Sequence, residues 1–175
     1  MKELSKFSKI LVFLAFLSGS LWIGAYLTRL FLAYQLFEAK DLVLKSFVNQ
    51  ENLSGILFSM LPAITTSFIL YIVLIVTYTA FLLVSKISLK KNGWLFIVSL
   101  IIYLTLPMEA YLMTIDYKMI IQLNSGAFNA QGVLSLLIDR IKVLSSFPLV
   151  EIFCYFSIVY FILFQPLTVK DKITA

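Results

Sequence analysis

Residues 56–84 read ILFSMLPAITTSFILYIVLIVTYTAFLLV, twenty-nine positions without one charged side chain. An α-helix rises about 1.5 Å per residue, and a bilayer's hydrocarbon core of about 30 Å takes about 20 apolar residues to cross. This stretch is long enough to span, and its hydroxyls at Thr65, Thr66, Ser67, Thr77, Tyr78 and Thr79 can bond back to their own helix or across to another. Three further stretches share its character: 10–37, 94–113 and 147–169. Across the chain 61% of residues are hydrophobic and 13% charged. A soluble domain carries about 25% charged residues, so a water-soluble fold is excluded. The expected fold is an all-α integral membrane protein, a single four-transmembrane-helix bundle over residues 1–175.

Lys/Arg placement orients it. Lys2, Lys6, Lys9, Lys86, Lys90, Lys91, Lys170 and Lys172 fall in the two tails and the short hairpin 85–93. Lys40, Lys45, Lys118, Arg140 and Lys142 are spread over the longer loops 38–55 and 114–146. Basic density in short segments marks the cytoplasmic side, which predicts both termini inside, in a plasma or inner membrane. Lys2, Lys6 and Lys9 before an apolar run imitate a signal peptide, but the run continues past Ser18-Gly19-Ser20 without a small-x-small cleavage site, so an uncleaved first span is expected.

The outer loops carry helical patterning. Val133, Leu134, Leu137, Ile138, Ile141 and Leu144 recur at helical spacing opposite Gln131, Ser135, Asp139, Lys142 and Ser146, the signature of an amphipathic helix too short and too charged to span. Lying across the top of its own bundle or on the headgroups is the first expectation for its apolar face, and docking to a partner the second. A weaker version, Val43, Leu44, Phe47 and Val48 against Lys40, Asp41, Lys45 and Asn49, suggests that the first helix continues outward. Met113, Tyr117, Ile120 and Ile121 likewise extend the third helix past Asp116, toward the turn signal at Asn124, Ser125 and Gly126.

Ionisable groups inside spans are costly and mark function or structural pairing. Arg29, Glu109 and Glu151 qualify, and counting helix rise from the inner edge puts all three at similar outer depth. The expectation is an intramembrane ion pair or ion site among them, with Arg29 meeting Glu109. Ser20, Gly24 and Thr28, four apart, form a small-xxx-small stripe for helix packing. Asp116 and Asp139 read as outer-loop acids in solvent.

Reactive groups are scarce. Histidine is absent and Cys154 stands alone, which removes the usual haem and zinc ligands and Ser/His or Cys/His catalysis. No GxSxG, Walker, HExxH or GxGxxG pattern occurs. The net charge of +5 is explained by the membrane rather than by nucleic acid, because the lysines flank apolar runs. No metal or cofactor is expected. The functional expectation is a noncatalytic membrane subunit or scaffold that meets lipids and other membrane subunits, or itself, through its spans and outer face. One alternative is a small oligomeric transporter or ion-coupled module using Glu109 and Arg29; another is an intramembrane enzyme at the outer interface.

Overall fold

The computed structural model describes residues 4–38, 42–126, 128–143 and 146–169. Among the described residues six helices follow in order: α1 (Lys6–Gln35), α2 (Leu53–Ser59), α3 (Leu61–Ser85), α4 (Gly93–Leu123), α5 (Ala130–Lys142) and α6 (Phe147–Phe164). The described residues form an all-helical fold in which four helical segments are long and apolar enough to cross a membrane: α1, α2 continued by α3, α4 and α6. Lys2, Lys40, Asp41, Leu144, Lys170 and Lys172, used in the readings above, lie outside the described residues.

Spacing explains the packing. The buried positions of α1 are Ser8, Leu11, Ala15, Ser18, Trp22, Tyr26, Arg29 and Ala33, and those of α3 are Ile64, Ser67, Tyr71, Leu74, Tyr78 and Phe81. Alternating steps of three and four keep one seam of each helix turned to a neighbour. These seams meet along α1 and α3, the most extensive pairing in the chain. Helix α4 packs on α3, α5 and α6. Between α1 and α6 a groove of about 430 Å³ opens, lined by apolar residues such as Phe13, Gly19, Ile23, Ile158 and Ile162.

Prolines mark the starts and the weak points. Pro62 and Pro148 sit in the first turn of α3 and α6, where a missing N–H costs nothing. Pro62 also explains why 53–85 is two helices: without its N–H the carbonyl of Phe58 loses a helical partner, and the break falls at Met60. Pro107 lies inside α4, whose 31 residues extend about 46 Å. That is well beyond the span, and α4 ends at Leu123, beside the turn at Asn124.

One end of the bundle gathers the hairpin between α3 and α4 with the segment after α6. Gln165 ends α6 in the left-handed region, ahead of Pro166, and the chain folds back so that the Gly93 N–H donates to the Leu167 carbonyl and the Val169 N–H to the Lys91 carbonyl. Gly93 is required there, since a Cβ would stand 2.8 Å from Leu167 Cβ. At the other end the extension of α1 does not form. The helix stops at Gln35, Phe37 bridges Leu44, and 42–52 is turns rather than helix. Three apolar residues, Leu36, Phe37 and Val48, are buried by this fold-back, which a straight helix would leave above the bundle.

Helix α5 closes that end. Asn129 caps it, accepting from the Gln131 and Gly132 N–H groups. Val133, Leu134 and Leu137 are buried, Ile138 and Ile141 half-buried, and Gln131, Ser135, Asp139 and Lys142 exposed. Its apolar side packs with Leu57, Met60, Met119 and Leu123 into one cluster at this end, while Leu11, Trp22, Tyr71, Val98 and Tyr155 belong to a second cluster along the rest of the bundle.

Candidate functional site

The charged residues sit at the joint between the two clusters. On α1 the buried residues of the cluster along the bundle end at Tyr26 and those of the cluster at the α5 end begin at Ala33, with Arg29 between them. On α4 the corresponding gap from Ile102 to Ile115 holds Glu109, and Asp116 follows directly at the start of the second cluster. Arg140 comes from the last turn of α5 and Glu151 from the first turns of α6. All five are at most 6% exposed.

Asp116 is the hub. Its Oδ2 accepts from Arg29 Nη1 at 2.6 Å and its Oδ1 from Arg140 Nε at 2.7 Å. Arg140 Nη2 reaches on to Glu109 Oε1 at 3.4 Å. Charge-assisted bonds of this length offset the desolvation that buried ions incur. Burial opposes the charge on Arg140, but the Asp116 and Glu109 carboxylates outweigh it and hold the guanidinium above its ordinary value, so it stays protonated. Both guanidinium groups also lie over the ring of Tyr26, at 5.0 Å for Arg29 and 5.9 Å for Arg140, within cation–π range.

Away from α5 the site becomes aromatic. Trp22 packs its ring 5.0 Å from Tyr26, 5.1 Å from Tyr71 and 4.7 Å from Tyr155. Tyr155 Oη lies 3.5 Å from Thr105 Oγ1. Among the described residues, Trp22 Nε1, Tyr26 Oη, Tyr71 Oη, Glu109 Oε2 and both carboxylate oxygens of Glu151 make no close, well-aligned hydrogen bond, although Glu151 neighbours Tyr26 and Glu109, and Tyr71 neighbours Tyr155. Glu151 nonetheless lies within electrostatic reach of Glu109, Tyr26 and Arg140.

The structure therefore brings Arg29, Glu109 and Glu151 into one cluster and adds two members. The guanidinium bonded to Glu109 belongs to Arg140, and that of Arg29 goes to Asp116. Asp116, expected in solvent, is completely buried, because α4 carries it seven residues beyond Glu109 on the same seam. Arg140 was legible too: it follows Val133 by seven and Leu137 by three, on the apolar side of α5. Asp139 does stand exposed. Ser20, Gly24 and Thr28 are exposed on α1, and among the described residues nothing beyond α1's own nearby backbone comes within 4 Å of a Cβ built on Gly24. Among the described residues, no group of acids or Cys154 is placed to hold a metal ion.

A bundle of four apolar helices of spanning length, with its charges enclosed between apolar clusters, is compatible with a multi-pass membrane protein. No protein-family model, no curated protein and no solved structure matches this chain.

Proposed function

We propose that this chain is a noncatalytic, multi-pass membrane subunit or scaffold, with both termini cytoplasmic and α5 on the outer side of a plasma or inner membrane. Lys/Arg density supports that orientation. The observation that carries the reading is the Arg140 clamp. Two bonds from one guanidinium fasten α5 to α4, and the apolar side of α5 adds Val133, Leu134 and Leu137 to the outer cluster. A cap fixed in this way favours a rigid body over a carrier whose outer gate must open.

Because α5 spends its apolar side on its own bundle, partners or further copies are met through the flanks of the spans. There Ser20, Gly24 and Thr28 face outward on α1, residues small enough for another helix backbone to approach. Purification of the full chain from its own membrane in mild detergent, followed by native mass spectrometry, tests this. A complex of defined stoichiometry is expected, and a persistent monomer overturns it. An ion-coupled module is the second reading, favoured by the unpaired oxygens of Glu109 and Glu151; flux in proteoliposomes that is lost in Glu109→Gln would support it.

A further inference from the structure

We propose that Glu109 and Glu151 form a proton-binding site, with one proton held between the two carboxyl groups and exchanged with the outer aqueous side. The proposal rests on charge matching and on orphaned polar atoms.

The charges do not balance. Two guanidinium groups, Arg29 and Arg140, face three carboxylates, Asp116, Glu109 and Glu151. Asp116 takes a short bond from each guanidinium and Glu109 takes the longer one from Arg140. Glu151, 0% exposed, receives none. A buried ionised carboxylate without a bonded cation is costly, and in hydrocarbon more so. Two carboxylates sharing a site relieve the repulsion when one of them takes up a proton. A proton taken from hydronium forms one O–H bond on Glu151, releases water, and brings the five-residue cluster from one negative charge to zero. The new O–H then donates to the free Oε2 of Glu109.

The surroundings are built for a proton rather than for a larger ligand. Tyr26, 2% exposed, and Tyr71, 1% exposed, bring buried hydroxyl groups into the same region, Tyr26 beside Glu151 and Tyr71 beside Tyr155, and both are within electrostatic reach of Glu109 and Glu151. From α6, Tyr155 is also within electrostatic reach of both acids. Exchange would run from the α5 end, where a recess of about 30 Å³ lined by Tyr26, Arg29, Arg140 and Pro148 reaches the guanidinium side of the cluster, neither acid lining it. Toward the inner end Trp22, Tyr71 and Tyr155 close the site with packed rings.

The site belongs to the ion-coupled reading but does not need transport to exist. Infrared spectroscopy of the full chain in lipid nanodiscs tests it through the carbonyl stretch of a protonated carboxyl group. At neutral pH wild type should show such a band, shifting in heavy water and vanishing reversibly at alkaline pH. Glu151→Gln and Glu109→Gln should each remove it, because two carboxylates then face two guanidinium groups, and Asp139→Asn should keep it. Absence of the band in folded wild-type protein overturns the proposal without any variant, and so does a band that survives both glutamine substitutions. A band without flux keeps the proton site and removes the ion-coupled reading, whereas flux without the band overturns the site alone.

Discussion

Replacing Arg140 with methionine removes one guanidinium while keeping much of the apolar stem. Arg29 stays on Asp116 at 2.6 Å, so the carboxylate left without a cation is Glu109, 2% exposed. Breaking a buried pair by removing one partner costs about 3–5 kcal/mol, mostly from the charge left behind. The bond at 3.4 Å is long, which places the expected loss for Arg140→Met near about 3 kcal/mol. Equilibrium unfolding in mixed micelles measures it, with protease cleavage near α5 reporting whether the cap has come free. Glu109→Gln removes the stranded charge, so the double variant should recover part of the loss, with a coupling of at least about 1 kcal/mol. A loss in Arg140→Met below about 1 kcal/mol, or single losses that add within about 0.5 kcal/mol, would refute the clamp.

Other perturbations read other joints. Gly93→Ala places a Cβ 2.8 Å from that of Leu167; overpacking of this kind costs about 1–3 kcal/mol, seen as a lower midpoint in thermal unfolding. Tyr78→Phe removes the 2.7 Å hydrogen bond to Ser99, and because Ser99 still donates to the Leu95 carbonyl the loss should be only about 0.6 kcal/mol by the same measurement. Leu137→Ala, in the outer cluster, should cost about 2–5 kcal/mol and expose α5 to protease, whereas Ser135→Ala on its exposed side should stay within about 0.5 kcal/mol.

The four long apolar helices were legible because hydropathy and the helical period act locally. A run such as 56–84 has few alternatives in lipid, where every backbone group must be satisfied within the helix. Three of the five charged residues were also legible, since depth along a helix follows from counting. The pairing was not, because the azimuth of each side chain depends on how the helices rotate against one another. Arg29 and Glu109 share a depth, yet the α4 seam brings Asp116 to Arg29 and the α5 fold-back brings Arg140 to Glu109. Asp116 and Arg140 were set aside as loop charges, although their spacing of seven from Glu109 and from Val133 held the signal. The fold-back at 42–52 left less trace: the apolar residues there fit a helix as well as a turn, and burial of Leu36, Phe37 and Val48 decides between them.

Labelling of single introduced cysteines in intact cells tests the architecture most directly, in a chain whose Cys154 has been replaced by serine. Ser88 is exposed in the hairpin between α3 and α4, and Ser135 is exposed on α5. With a membrane-impermeant maleimide, Ser135→Cys should be labelled and Ser88→Cys protected until the membrane is opened. Labelling of both positions from the outside, or of Ser88→Cys alone, would contradict the arrangement of four spans with the charge cluster and its cap at the outer end.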